Sequence, residues 1–327
     1  METQQKSYRY PGVKPFETFE KDLFFGRDRD IQDLHDLIVL EKLVVLFGKS
    51  GYGKSSLLNA GIIPKLTDDQ LDDDEHFEPI VVRLGTYSEI ASQNTQGTTI
   101  KKRSETPLET VHLKLEEKTK NIEGVSFLDK ITSEKMLWSE FKKRQTGETN
   151  RHYVLIFDQF EEFFSYPLAE QEAFKEQLAE LLYQDMPQSV RDAAPTLDRN
   201  ARLLLAMPLE IKTIFAIRAD RMSLLDSMKD KLPAILHKRY ELKGLTSEQA
   251  RQAIIQPAGI RDTHFDTPPF QYTEGAMTKI LNELGQSANV GNGRVSASIE
   301  AFQLQIFCEH IETDVKNGKI DHITGNN

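Results

Sequence analysis

The chain of 327 residues contains a single cysteine, Cys308. One thiol excludes an internal disulfide and a thiolate-rich metal site. No run of 18 apolar residues occurs, and Met1 opens a polar stretch (Glu2, Gln4, Gln5, Lys6). Neither a membrane-spanning helix nor a secretory leader is therefore predicted. Basic residues are not in excess: 41 Lys and Arg stand against 51 Asp and Glu, a formal net charge of −10. A protein that coats nucleic acid needs the opposite balance, so no strong nucleic-acid signal is present. The 8 histidines form no His-Glu-x-x-His or similar spacing, which argues against metal held by imidazole. No internal repeat is visible. The expectation is a soluble, cytoplasmic, acidic protein, 39% hydrophobic and too long for one small domain.

What is there has a clear order. Tyr8 to Arg27 mixes aromatics with Pro11, Gly12 and Pro15 and reads as an extended arm tied down by Tyr10, Phe16, Phe19, Phe24 and Phe25. Ile31, Leu34, Leu37 and Ile38 line one face of a helix predicted over 28–40. Leu43 to Phe47 is continuously apolar, the mark of a strand covered on both faces in a parallel sheet. A helix is predicted from Lys54 to about Ile63, stopped by Pro64. Thr67 to Glu78 has seven acids and no base and reads as an exposed loop; most of the net charge sits there. Strands follow at Ile80–Leu84, Tyr153–Phe157 and Ile211–Ile217. Thr86 to Pro107, rich in Ser, Thr, Gln and Asn, reads as a long loop or poorly ordered insertion. Helices are predicted over 108–119, 133–144 (with a capping-box-like start at Ser133) and 168–183. Past Leu224 no buried strand is predicted, only helices near 247–255, 274–284 and 298–315, with Cys308 in the apolar face of the last. This is an α/β fold, a parallel sheet flanked by helices over 1–243, followed by a small all-helical lid-type domain over 244–327.

Gly48-Lys49-Ser50-Gly51-Tyr52-Gly53-Lys54-Ser55 matches G-x-x-x-x-G-K-[ST] between a predicted strand and a predicted helix, the context a P-loop requires. Glycines let the backbone wrap phosphate oxygens, and the helix N-terminus adds a favourable dipole. Lys54 supplies a cation to the β- and γ-phosphates, and the Ser55 hydroxyl is a Mg²⁺ ligand. Gly48, Ser50, Gly51, Tyr52, Gly53, Lys54, Ser55 and Ser56 form the candidate phosphate-contacting set. Val154 to Phe157 ends in Asp158, which places a carboxylate beside the Mg²⁺ (Walker B). Hydrolysis also needs a group to orient or deprotonate water. The position after Asp158 is Gln159, so Glu161 or Glu162 is the candidate base. Arg218 ends another strand, where a cation either senses the γ-phosphate or pairs with Asp220 or Glu162. Arg83 ends the second strand, and a salt bridge is the favoured reading there. Gly26 and Arg27 are candidates for nucleotide proximity, and Pro257 reads as a helix stop that aims a backbone group at the nucleotide.

These residues together resemble the STAND class of signal-transducing P-loop ATPases, relatives of AAA+ proteins, and within it the novel STAND branch. The matching pieces are Tyr10-Pro11-Gly12 with Pro15-Phe16, Phe24 to Arg27, the P-loop, Asp158 to Glu162, Ile217 to Asp220, Ala253 to Ala258 and Ala301 to Gln305. The resemblance implies binding of ATP or ADP with Mg²⁺ as a switch between a closed monomer and an oligomer, with slow hydrolysis, in signalling or prokaryotic antiviral defence. It implies Asp158 as the magnesium-site acid, Arg218 as a sensor arginine and Pro257 as the helical contact to nucleotide. The expectation is that sensor and effector parts lie elsewhere in a longer protein and that this chain is a piece of it truncated at its C-terminus. Two other readings stand beside it: a catalytically inert nucleotide-gated scaffold, suggested by Gln159, and a DNA-transaction ATPase. Adenine specificity is likewise an implication, since no guanine-reading Asn-Lys-x-Asp element occurs.

Overall fold

The computed structural model describes residues 8–68, 76–93, 99–117, 126–132, 136–147, 151–184, 186–286 and 298–319. In chain order the elements are α1 (Asp28–Leu40), β1 (Leu43–Gly48) and α2, one continuous helix made of Lys54–Ser56, Leu57–Ile62 and Ile63–Asp68. Then come β2 (His76–Arg83), β3 (Glu89–Gln93), β4 (Thr99–Arg103), α3 (Pro107–Glu117), α4 (Ser126–Ile131) and α5 (Leu137–Gly147). They are followed by β5 (Arg151–Asp158), α6 (Leu168–Tyr183), α7 (Gln188–Ala193), α8 (Arg199–Ala206), β6 (Ile211–Arg218) and β7 (Arg239–Glu241). The chain closes with α9 (Ser247–Gly259), α10 (Glu274–Gln286) and α11 (Ala301–Lys316). Two compact units form: one from 1–36, 47–65 and 241–327, the other from 37–46 and 66–240. The segment after β7 thus groups with the N-terminal arm and the P-loop.

The second unit is built on a parallel five-stranded sheet in the order β2-β5-β6-β1-β7. Helices flank it because its strands are apolar on both faces: Val154 to Phe157 and Ile214 to Ile217 are fully buried. Register is fixed along the β2–β5 pair from His76↔Arg151 to Arg83↔Asp158, so the last residues of both strands stand side by side. Pro79 is tolerated inside β2 because that strand lies at the sheet edge. Beneath the carboxyl ends lies an aromatic stack of Phe157, Phe160, Phe163, Phe174 and Phe215, with Phe157 and Phe215 rings 5.3 Å apart. The other unit packs Tyr10 with Leu245, Ile254, Phe270, Met277, Ile299, Leu304 and Cys308. Phe16, Leu23 and Ala60 form a smaller core with Phe24, Ile260 and Phe265.

Several expectations change. Pro64 does not stop α2, which runs on to Asp68. Its middle third is π-helical, with the Ile63 N–H reaching back to the Leu58 carbonyl. Proline has no N–H to lose, so the ladder changes register there without an orphaned donor. Pro257 likewise lies inside α9, which ends at Gly259. The polar stretch from Thr86 to Pro107 is not a plain loop: β3 and β4 pair antiparallel from Glu89↔Arg103 to Gln93↔Thr99. Backbone ladders need no apolar alternation, which is why composition hid them. His76 to Glu78 belong to β2 rather than to the acidic loop, and β7 is a short edge strand past Leu224. Helices α4, α7 and α8, of six, six and eight residues, are not among the predicted elements. The capping-box start at Ser133, most of the acidic run and the C-terminal tail lie outside the described residues. No helix among the described residues is long and apolar enough to cross a membrane.

Candidate functional site

In the first unit the loop after β1 has the conformation its glycines allow. Gly51 and Gly53 adopt φ of +83° and +92°, the left-handed region that side chains rarely enter. Such turns arrange successive backbone N–H groups into anion-binding concavities. Lys54 folds back over the loop, its Nζ donating to the carbonyls of Gly48 at 2.9 Å and Lys49 at 3.2 Å. A left-handed loop topped by an ammonium group at the start of α2 fits a polyphosphate. Ser55 follows within the first turn of that helix.

The surroundings brace this loop from two sides. Arg27 is buried; its guanidinium donates to the Tyr52 carbonyl at 2.9 Å and to Asp30 at 2.9 Å. The Ser56 hydroxyl accepts the Phe16 N–H at 3.2 Å, which ties the arm to α2. On the other side stands the start of α11. The Phe302 N–H donates to the Gly51 carbonyl at 2.9 Å, and the Ala301 Cβ lies 3.6 Å from where a Gly53 Cβ would stand. Pro257 is buried, and its carbonyl accepts from Arg9 at 2.9 Å.

Gly26 has a packing reason of its own. Its φ is +82°, and a Cβ there would lie 2.3 Å from the Gln249 carbonyl oxygen. Gly26→Ala is expected to lower stability by at least about 2 kcal/mol, from left-handed strain plus a backbone clash. Gly259, with open space around it, is the control. Chemical denaturation of both alanine variants checks this; equal, small losses would show that the turn relaxes.

In the second unit the acids gather where β2, β5 and β6 end. Asp158 is 2% exposed on its side chain. Its Oδ2 accepts from Arg83 Nε at 2.9 Å, and its Oδ1 accepts the Gln159 N–H at 3.0 Å. Gln159 has φ +55°, the only non-glycine with positive φ among the described residues. Backbone strain of this kind persists where the surroundings fix it, often beside a functional group. Glu161 Oε2 accepts the Arg218 backbone N–H at 3.4 Å. Glu162 accepts the Thr86 hydroxyl at 2.6 Å. The Arg218 guanidinium grips Asp220 with two nitrogens, Nε at 3.1 Å and Nη2 at 2.9 Å, which holds the Asp220 carboxyl below its usual range. The two candidate bases thus differ: Glu161 is tied to a backbone amide and Glu162 to a loop hydroxyl.

Among the described residues no group of three His, Cys, Asp or Glu side chains stands close enough to hold a metal alone. Mg²⁺ at a nucleotide needs no such cage, because phosphate oxygens and water complete its shell around one or two protein oxygens. One hydroxyl at Ser55 and one carboxylate at Asp158 are the donor types that chemistry takes. The sequence pointed to both, but not to the Phe302 contact, to Thr86, or to Arg9 behind Pro257. Those partners lie far apart in the chain and leave no local pattern.

A family model described as novel STAND NTPase 1 matches residues 10–289. No curated protein matches the chain. Among solved structures, the ORC2 protein of Aeropyrum pernix in its ADP form is similar at 13% identity and a TM-score of 0.53, over 99% of this chain and 70% of that one. Its ADPNP-ADP complexes give 13% identity and 0.51, over 99% and 68%. Cdc6p from Pyrobaculum aerophilum gives 12% and 0.50, over 91% and 64%. Identities this low speak for the fold: a P-loop sheet with a helical region after it.

Proposed function

Because the chain belongs to the novel STAND NTPase family, we propose that it is an ATP-dependent regulatory switch: it binds ATP or ADP with Mg²⁺, hydrolyses ATP slowly and controls its own self-association. The setting we infer is signal transduction, including prokaryotic antiviral defence. One observation carries the switch reading. The helical segment bonds directly to the phosphate-binding loop, through the Phe302 N–H and the Gly51 carbonyl. A change of loop conformation on nucleotide exchange therefore acts on α11 without an intermediary. A ligand shifts such an equilibrium only by binding the two states differently, and a bond to the loop itself supplies that difference.

In this reading the residues divide the work. Gly48, Ser50, Gly51, Tyr52, Gly53, Lys54, Ser55 and Ser56 bind phosphate; Ser55 is the proposed magnesium ligand of the P-loop, and Asp158 the proposed magnesium-site acid. When bound, magnesium neutralises charge on the β- and γ-oxygens. Glu161 or Glu162 orients the attacking water and Arg218 answers to the terminal phosphate. Gly26 and Arg27 shape the nucleotide side of the P-loop, and Pro257 is the helical contact.

A second reading is favoured by Gln159, which stands where an acid base would follow Asp158: a scaffold gated by nucleotide but inert. Two measurements test these. Light scattering of protein loaded with ATP and with ADP should give different masses; identical masses would overturn the self-association switch. Single-turnover assays should release phosphate over minutes to hours; none released would leave the inert scaffold.

A further inference from the structure

Each of the two strands that flank β5 carries an arginine–aspartate pair at its end, and the two pairs are built differently. At the end of β6, Arg218 spends two nitrogens on Asp220 two residues away, on the surface. At the end of β2, Arg83 reaches across to Asp158, its Cα partner in the β2–β5 ladder. It does so through Nε alone, at 2.9 Å. Its side chain is 41% exposed, whereas the Asp158 side chain is 2% exposed. The acid is therefore fixed: it is buried, and its other oxygen holds the Gln159 N–H. The arginine is the movable half, long, partly solvated and held at one point rather than by its fork. Single-point pairs of this kind are weak and exchangeable.

We propose that Arg83 is a resident counter-cation of Asp158, a positioning residue that keeps this carboxylate aimed until a divalent cation takes its place. The inference rests on reading Asp158 as the magnesium-site acid. A guanidinium and a divalent ion on the same carboxylate oxygen repel each other, so the second excludes the first. Arg83 thereby sets how tightly the cation is held.

The test uses the whole chain loaded with ADP and Mn²⁺ as the probe, with free Mn²⁺ read by electron paramagnetic resonance. Arg83→Gln should tighten Mn²⁺ binding about tenfold, by removing one full charge next to the ligand. Arg83→Lys, which keeps the charge, should bind Mn²⁺ like the unaltered protein. ADP affinity in EDTA should be the same in all three, because the arginine acts through Asp158 and not on phosphate. Unchanged or weaker Mn²⁺ binding in Arg83→Gln would overturn the proposal, as would a fall of ADP affinity in EDTA. Asp158→Asn separates the two layers: it should weaken Mn²⁺ severalfold, and if it does not, the assignment of Asp158 itself falls. Thermal melting of each variant checks that the fold is kept.

Discussion

Lys54→Ala is expected to abolish ATP binding, with a loss of at least about 100-fold in affinity. Two effects add. In the proposed site the Lys54 ammonium group meets the β- and γ-phosphates, and charge-assisted hydrogen bonds of this kind contribute about 1.5–3 kcal/mol each. The same nitrogen also braces the loop, through the Gly48 and Lys49 carbonyls at 2.9 and 3.2 Å. Without it the left-handed turns at Gly51 and Gly53 lose a tie as well as a charge. The fold itself should survive, because alanine is a good helix former and Lys54 opens α2 at a half-buried position. Titration calorimetry with ATP, beside a melting curve, decides the matter. Wild-type affinity in a folded Lys54→Ala protein would remove the phosphate site from this loop.

The parts legible in the sequence are those with local causes. Val154 to Phe157 and Ile214 to Ile217 are continuous apolar runs, and both lie in buried strands. The spacing of Ile31, Leu34, Leu37 and Ile38 gave α1 its bounds, and 168–183 is a helix end to end. Proline misled twice, at 64 and 257, for a physical reason. A proline breaks a helix only where the missing N–H leaves an unmatched carbonyl or the ring clashes, and a π turn or a final helical turn relieves both. The β3–β4 ribbon was hidden because its stability lies in backbone pairing. The candidate site divided in the same way. The P-loop and Asp158 are written in contiguous residues. The Arg83–Asp158 pair depends on strand register across 75 positions, and the Phe302–Gly51 bond joins residues 251 apart. No window of sequence contains either.

Arg9 is the plainest case of a residue with no local signal, and its removal should be the most destabilising single change in the first unit. It is a fully buried arginine. The guanidinium donates to the Pro257 carbonyl at 2.9 Å, the Ile260 carbonyl at 2.8 Å, the Thr267 carbonyl at 3.0 Å and the Thr267 hydroxyl at 3.2 Å. It also lies 4.2 Å from the Phe265 ring centroid. Its backbone N–H goes to Glu312, which also accepts from Thr267 and from the Tyr10 N–H. The two charges face each other at 3.9 Å, yet burial lowers the pKa of Arg9 and raises that of Glu312. Loss of water outweighs their attraction, so the hydrogen bonds and not the ion pair hold the cluster together. Removing one partner of such a set typically costs about 3–5 kcal/mol, because buried groups are left unmatched. Arg9→Met is therefore expected to lose about that much, and Arg9→Met with Glu312→Gln less than the sum of the two single changes. The sign with pH follows from Glu312. Its carboxyl pKa is higher folded than unfolded, so its favourable contribution is full below the unfolded value and is lost as pH rises through the folded one. Without Arg9 nearby the folded value climbs further, and Arg9→Met should lose more stability between pH 5 and pH 8 than the unaltered protein. Urea denaturation at the two pH values measures both quantities. A loss under about 1 kcal/mol at pH 7, typical of a surface ion pair, would mean that the arm does not anchor α9 and α11 as these contacts indicate.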